Sequence, residues 1–472
     1  MKPLKLLFVL ALVSSWAGSL SAQPIRFELG QRTRAMEIAW DAQPNAEARK
    51  RATVHLKQAV TLFFAFKLND AAKQLDHARF ALQSTTPLAP EAQWAESLFV
   101  LPESRLLDRS AARLTFTLDK MYATSEEIPK GAVLQLSVFS GGKAKTSNFP
   151  IASLPLQQSL PLSLAKVADG DFTLIAKVLI GKKILASSAQ TISVVANLSE
   201  RIAKLKPMLN GMMPYELTAE TMKVVVGVLD SLASKKTLEA NYPAARLLTE
   251  VEAARASSHN FYGNKKAGQF WLTFTPGQGT IPVRMLAPIA AKAGKPLPLV
   301  IALHGAGGSE NMFFETYGAG AIAKLCEQRG WLLVSPRGTG MKPERVAELI
   351  DAMDKLYPVD RARVFVVGHS MGGGQTAAAA NVTPEKFAGV AVLGGGGAVR
   401  NTTDAFKKLP FFVGIGTEDF ALRGAKALHE GLQKAEVKTI KYREYADIEH
   451  LTIVQVALPE VFTFFDGIAK QK

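Results

Sequence analysis

The pentapeptide GHSMG at residues 368–372 constrains the fold more than any other feature of this chain. An apolar, strand-like run precedes it and an Ala-rich, helix-like run follows it. A serine between two such glycines predicts a sharp strand-to-helix turn that presents the Ser370 hydroxyl at the edge of a sheet. Glycine is expected on either side because a side chain there would strike the neighbouring strand or helix. The alternative is a Gly-rich turn without catalytic function.

Strand and helix patterns alternate around this turn, from residue 268 to the end of the chain. Continuous apolar runs typical of buried parallel strands occupy residues 299–303, 331–334, 364–367, 390–393 and 411–415. Helical patterns occupy residues 321–329, 343–356 and 422–434. This order predicts an α/β fold: a mostly parallel sheet with helices on both faces and right-handed connections.

A serine hydroxyl is a poor nucleophile at neutral pH, so Ser370 needs a base and an orienting acid. In the chain order serine, acid, histidine, the base must lie near the C-terminus. His450 follows the last predicted strand, whereas His429, the other downstream histidine, falls within a predicted helix. Asp419 is favoured over Glu418 as the acid because it lies nearer the following helix. A solvated loop charge or a helix cap is the alternative for either carboxylate.

The sequence HGAGG at residues 304–308 follows an apolar strand upstream of the serine turn. Backbone N–H groups in such a loop are suited to stabilise a developing oxyanion. The predicted donors are the amide of Met371 and that of Ala306 or Gly307. Donors of this kind contribute about 3–4 kcal/mol each to lowering a barrier. We expect His304 to stabilise the loop rather than to act as a second base.

Three aromatic residues, Phe313, Phe314 and Tyr317, follow the HGAGG loop closely. An aromatic cluster beside the reacting serine predicts a substrate pocket for the acyl or alcohol group of a substrate. The alternative is packing beneath the loop, where the same residues would fill a core.

The motifs HGAGG, GHSMGGG, GTED and EHL, in this order and spacing, resemble the α/β-hydrolase superfamily. The chain is most similar to its secreted carboxylesterases, which include dienelactone-hydrolase-like, polyhydroxybutyrate-depolymerase-like and feruloyl-esterase-like enzymes, and to sequences described as predicted peptidases. The resemblance covers residues 268–472 and implies a catalytic α/β-hydrolase domain at residues 261–472. It implies a serine carboxylesterase-like hydrolase (EC 3.1.1 class) that works through an acyl-enzyme without a metal or organic cofactor. Many secreted feruloyl esterases carry disulfides, which this chain, with one cysteine, cannot form internally.

The pattern upstream of the catalytic region changes twice. Residues 23–94 have helical periodicity, residues 95–197 alternate with period two, and residues 198–260 are helical again and end in a Ser- and Gly-rich linker. The alternating runs predict a small antiparallel β-sandwich that resembles the immunoglobulin-like accessory domains of some secreted esterases. The helical segments are expected to form hairpins that pack on each other or on the sandwich.

The N-terminus has the layout of a secretory signal peptide over residues 1–22. Lys2 and Lys5 precede an apolar stretch at residues 6–13, and small residues suited to cleavage follow at residues 19–22. The prediction is a secreted or periplasmic protein, and an uncleaved membrane anchor is the alternative. No other stretch has the roughly 18 apolar residues that would insert stably into a membrane.

Charge and cysteine content narrow the possible partners. The net charge of +15 is spread over both halves without a long basic run, which argues against nucleic-acid binding. The single Cys326 excludes a Cys-based zinc site. The expected partner is a small-molecule or polymeric ester, with the oligomeric state left open. The alternatives are a serine peptidase of the prolyl-oligopeptidase type, which lacks its propeller here, and an inactive hydrolase-fold binding protein.

Overall fold

The structure is a computed structural model that describes residues 23–111, 113–140, 143–162, 168–209, 215–257, 259–277, 279–338 and 341–470. The predicted signal peptide, residues 1–22, lies outside the described residues. The first segment is helical and comprises α1 (Gln23–Ala42), α2 (Ala46–Phe64), α3 (Leu68–Gln83) and the short α4 (Pro90–Glu96). Asn45 begins α2 as a helix cap, because its side chain accepts a hydrogen bond from the Ala48 amide.

Two small sheets follow and face each other as a sandwich. Their strands are β1 (Leu98–Pro102), β2 (Leu106–Asp108), β3 (Arg113–Lys120), β4 (Ala132–Ser140), β5 (Lys143–Pro150), β6 (Leu156–Pro161), β7 (Gly170–Ile180) and β8 (Lys183–Val195). The sheet orders are β1-β3-β6 and β2-β8-β7-β4-β5. Inward side chains such as Phe116, Leu136 and Ile192 fill one shared core. The pairing is antiparallel as predicted, except that β2 runs parallel to β8.

A second helical segment connects the sandwich to the catalytic region. It comprises α5 (Leu198–Leu205), α6 (Glu216–Ala233) and α7 (Ala244–Ala256). The predicted linker after α7 is packed rather than free: Tyr262 is fully buried, and its hydroxyl donates to a Glu250 carboxylate oxygen at 3.0 Å. The Ser- and Gly-rich composition of that stretch predicts a linker, but the buried side chain of Tyr262 anchors it to the protein.

The catalytic region is built on one eight-stranded sheet. Its strands are β9 (Gly268–Phe274), β10 (Ile281–Ala287), β11 (Leu297–Leu303), β12 (Leu332–Pro336), β13 (Val359–His369), β14 (Gly389–Leu393), β15 (Phe411–Gly416) and β16 (Ile440–Tyr445). The order is β16-β15-β14-β13-β11-β12-β10-β9. Six strands are parallel, and β9 and β10 form an antiparallel edge.

Helices cover both faces of this sheet. They are α8 (Met312–Glu315), α9 (Ala321–Arg329), α10 (Pro343–Leu356), α11 (Met371–Val382), α12 (Asp404–Lys408), α13 (Leu422–Lys434) and α14 (Ile453–Lys470). Alternate residues of β11 enter two different cores, because successive strand side chains point to opposite faces. Leu299 and Ile301 lie in the core shared with α10, α11 and α13, and Val300 lies in the core shared with α9 and α14.

The two helical segments extend these two cores. Met222 and Leu248, from α6 and α7, belong to the first core, and Trp40 and Leu75, from α1 and α3, belong to the second. The helices α2 and α3 pack on each other, as predicted, but both segments also join the cores of the catalytic sheet, which the prediction omitted. An amphipathic pattern shows that a helix has an apolar face but does not identify what covers it.

Among the helices of the described ranges, none has the length and apolar character needed to cross a membrane. Within the same ranges, no cluster of three or more His, Cys, Asp or Glu residues is arranged to hold a metal ion.

Candidate active site

Ser370 lies at the turn between β13 and α11, at the carboxyl edge of the sheet. Its backbone has the unusual angles φ 57° and ψ −117°, and its amide donates to the Leu393 carbonyl of β14 at 2.9 Å. A Cβ atom on Gly372 would lie 2.0 Å from the Leu303 carbonyl oxygen, and one on Gly368 would lie 2.1 Å from the Gly372 carbonyl oxygen. Glycine is therefore required on both sides of the serine, for the steric reason given from the sequence.

His450 and Asp419 converge on this serine from the two neighbouring loops. Nε2 of His450 lies 2.9 Å from Oγ of Ser370, and its Nδ1 lies 2.9 and 3.0 Å from the two carboxylate oxygens of Asp419. The Ala421 amide donates to Oδ1 of Asp419 at 2.8 Å and fixes the carboxylate. Both side chains are almost fully buried, so this chain of hydrogen bonds is shielded from water.

Glu418, the other carboxylate considered from the sequence, points away from the histidine. Its Oε2 lies 2.5 Å from Nζ of Lys57 on α2, and its side chain is partly exposed. Its amide donates to the Ile448 carbonyl, which ties the acid loop to the histidine loop. His429, inside α13 as predicted, stacks on Tyr442 with ring centroids 4.3 Å apart.

The HGAGG loop passes directly above the serine. A Cβ atom on Gly305 would lie 3.2 Å from Cβ of Ser370, and Ala306 and Gly307 line the same cavity as the serine hydroxyl. Gly307 has φ 77°, a conformation that favours glycine. Met371, the other predicted donor, is the first residue of α11. The ring nitrogens of His304 lie 2.8 and 3.1 Å from backbone carbonyl oxygens, as expected of a loop-stabilising residue.

A buried hydrogen-bond chain joins this loop to the histidine loop. The Gly305 amide donates to the Tyr317 hydroxyl at 3.2 Å, and that hydroxyl lies 2.6 Å from Nδ1 of His369. Nε2 of His369 lies 2.8 Å from the carbonyl oxygen of His450. Because that carbonyl can only accept, His369 carries its proton on Nε2 and accepts from Tyr317 at Nδ1. Burial, together with nearby His450, holds the pKa of His369 well below its usual range, so the ring stays neutral.

The predicted aromatic pocket is only partly where the sequence suggested. Phe313 and Phe314 are buried in the core of the sheet, and the Arg284 guanidinium covers the Phe314 ring. Tyr317 lines the cavity, but its hydroxyl is committed to the hydrogen-bond chain. The aromatic side chains that line the cavity from outside the catalytic region are Phe63 and Phe64 of α2.

Further residues beside the site were not found from the sequence. Arg26 of α1 donates to the Gly307 carbonyl at 2.7 Å, and the ring of Phe420 lies 4.3 Å from that of His450. Glu449 accepts hydrogen bonds from the amides of Leu451 and Thr452, and burial raises its pKa. The adjacent Phe63 and Phe64 are a usable signal, because neighbouring residues of a helix cannot both face one core.

The region that contains the candidate site matches a known protein family. Residues 300–460 match the model of the alpha/beta hydrolase family. A bifunctional acetylxylan esterase/xylanase of Neocallimastix patriciarum is 32% identical over 140 residues, which are 26% of this chain and 20% of that protein. The chain therefore spans about one fifth of the length of the curated relative that it matches.

Part of this chain also resembles solved structures of other proteins. S-formylglutathione hydrolase from Staphylococcus aureus has 16% identity and a TM-score of 0.36, covering 43% of this chain and 97% of that one. A ferulic acid esterase from the anaerobic fungus Anaeromyces mucronatus has 16% identity and a TM-score of 0.34, covering 41% of this chain and 87% of that one.

The parallel sheet, the serine turn and the family match together define an α/β-hydrolase domain in this chain. The fold class predicted from the sequence is confirmed. The family model agrees with the prediction of a hydrolase, and the matched relative from Neocallimastix patriciarum is named an esterase.

Proposed function

We propose that this protein hydrolyses carboxylic esters through a Ser370-His450-Asp419 triad. The observation that carries the proposal is the unbroken chain of hydrogen bonds from the Asp419 carboxylate through His450 to Oγ of Ser370. Nδ1 of His450 donates to Asp419, so Nε2 is left free to accept the serine proton. No other buried histidine described in the structure is placed to do this, because His304 and His369 are engaged with backbone carbonyls.

The reaction proceeds in two halves. Oγ of Ser370 attacks the ester carbonyl as His450 takes its proton, and the resulting oxyanion is stabilised by the amides of Met371 and of Ala306 or Gly307. His450 then gives the proton to the departing alcohol, which leaves an acyl group on Ser370. Water, deprotonated by His450, attacks this acyl-enzyme and releases the acid.

The test combines covalent labelling with ester turnover. Ser370→Ala is expected to abolish labelling by a fluorophosphonate and nearly all hydrolysis of p-nitrophenyl acetate. Asp419→Asn should lower kcat by about 10⁴-fold, because an amide favours the wrong histidine tautomer. Glu418→Gln is the matched control, and it should cost far less because Glu418 pairs with exposed Lys57 rather than with His450. Wild-type turnover by Ser370→Ala would refute the mechanism, and a crippled Glu418→Gln with a mild Asp419→Asn would refute the choice of acid.

We also propose that the protein is exported after removal of residues 1–22. The support is the sequence pattern of two lysines, an apolar stretch and small residues. N-terminal sequencing of the exported protein should begin at Gln23. Recovery of the full-length chain in the membrane fraction would contradict this.

A further inference from the structure

We infer that the cavity above Ser370 holds the acyl group of the ester, and that helices α1–α3, outside the catalytic region, determine its size. This inference rests on the proposed esterase function and specifies its substrate class. The cavity has a volume of about 180 Å³ and is lined at one end by Ser370, His450 and the HGAGG loop. Its apolar wall is formed by residues of α1, α2 and α3: Leu29, Ala59, Val60, Phe63, Ala71 and Leu75.

The contact between α2 and the oxyanion loop is close. A Cβ atom on Gly307 would lie 2.9 Å from Cζ of Phe63, so the phenyl ring packs directly over that glycine. Val60, Ala71 and Leu75 continue the wall and are buried. An acyl chain that extends from Oγ of Ser370 toward this wall contacts the apolar side chains of the N-terminal helices.

Two polar groups at the cavity are held by neighbouring residues. The Arg26 guanidinium donates to the Gly307 carbonyl, and Glu239 accepts from the hydroxyl of Tyr242 and the amide of Asn311. The wall residues of α1–α3 named above are apolar, so this wall selects by shape and apolar contact.

The volume limits what fits. An apolar protein cavity of about 150 Å³ accommodates benzene. A cavity of about 180 Å³ therefore holds an acyl group about as large as one aromatic ring or a short alkyl chain, and a long fatty chain would have to extend beyond it.

The chemistry distinguishes the acyl side from the alcohol side. His450 must reach the leaving oxygen to protonate it, so the alcohol lies on the His450 side. That side is open: Phe420, whose ring lies 4.3 Å from His450, is 63% exposed, and Phe64, in edge contact with Phe420, is 42% exposed. The alcohol departs along these exposed rings, and the apolar wall of α1–α3 is left for the acyl group.

The experiment measures kcat/KM of the full-length protein for p-nitrophenyl acetate, butyrate, benzoate and dodecanoate. The wild type should prefer butyrate or benzoate to dodecanoate. Leu75→Ala, or the milder Val60→Ala, widens the cavity and should raise the dodecanoate-to-butyrate ratio about tenfold. Ala71→Leu narrows it and should lower the benzoate-to-acetate ratio by a similar factor.

Leu82→Ala is the matched control, since Leu82 is a buried leucine of the same helix α3 that does not line this cavity. It should lower the melting temperature without changing either ratio. Unchanged ratios in folded Leu75→Ala, Val60→Ala and Ala71→Leu would overturn the inference. The inference would also be overturned if these variants changed the preference among acetate esters of different alcohols but not the preference among acyl groups. Failure of the proposed function itself gives a different result, namely no Ser370-dependent hydrolysis of any of these esters by the wild type.

Discussion

The sandwich and the helices that flank it occupy the same N-terminal half of the chain, but they bury their apolar side chains in different places. The sandwich fills its own interior and meets the cores of the catalytic sheet at its margins, where Leu106 and Val195 join the first core and Phe99 packs against the second. The helices instead contribute many of their buried side chains to the cores on both faces of that sheet. Two facing sheets can close a core by themselves, whereas a helical hairpin supplies only one side of a core.

The helices also touch each loop of the candidate site. Arg26 bonds to the Gly307 carbonyl of the oxyanion loop, and Lys57 pairs with Glu418 beside the acid. Thr53 donates to the Asp447 carbonyl, three residues before the histidine, at 2.7 Å. We therefore propose that residues 23–83 belong with the catalytic region as one folding unit, and that the sandwich is the separate accessory domain.

The largest effect on folding is expected when the catalytic region is separated from the N-terminal helices. A chain that begins at Ser257 should aggregate or remain unfolded, because it lacks the helical side chains that complete both cores. Among the side chains it lacks, Trp40, Met36, Leu56 and Leu75 are fully or almost fully buried in one of these cores. Circular dichroism and gel filtration would test this.

In contrast to the truncated catalytic region, the isolated sandwich should fold by itself. Residues 90–197, which include the core residues Trp94 and Ala95, should form a soluble domain that unfolds cooperatively. If the chain from Ser257 folded equally well, the distinction between the sandwich and the helices would be lost.

The sequence predicts those parts of the candidate site whose chemistry imposes a local pattern. Ser370, Asp419 and His450 are predicted because a strained serine turn needs flanking glycines and because the acid and base follow strands in a fixed order, and the structure brings the three side chains together. Proximity along the chain predicts Phe313 and Phe314 in the pocket, whereas their side chains are buried in the core on one face of the sheet. Arg26 and Phe63 were missed because their partners lie more than 200 residues away, and no periodicity encodes such a contact.

A smaller effect is expected from breaking one contact between a helix and a loop. Thr53→Val keeps the shape of the side chain but leaves the Asp447 carbonyl without its donor. A lost hydrogen bond of this kind costs about 1 kcal/mol, and the loosened histidine loop should lower kcat several-fold with little change in KM. Thr61→Val on the same helix is the control, since the Thr61 hydroxyl donates within α2 to the Lys57 carbonyl. Equal kcat values for the two variants would contradict a role for α2 in holding the loop.

The smallest effect concerns a buried carboxyl where α1 meets the catalytic region. Glu37 is 1% exposed, and burial raises its pKa well above the ordinary value of 4.5 despite a bond from the Ala319 amide. Asp41 and Glu449 act in the same direction and Arg34 opposes them. The folded protein therefore retains a proton that the unfolded chain loses, and this group makes the free energy of unfolding fall as the pH rises above 4.5.

Glu37→Gln should remove that dependence, because glutamine keeps the shape and does not titrate. The free energy of unfolding of the wild type should decline relative to the variant by up to about 1.4 kcal/mol per pH unit above pH 4.5, and the difference should be constant at lower pH. Urea denaturation between pH 4 and 7 measures this, and Glu47→Gln, an exposed change on α2, controls for the loss of one carboxylate. A slope that is the same in the wild type and Glu37→Gln would mean that water reaches the junction. The contact between α1 and the catalytic region would then be hydrated, like a contact between separately folded domains. The helices would in that case be more similar to the sandwich than their shared core with the catalytic sheet indicates.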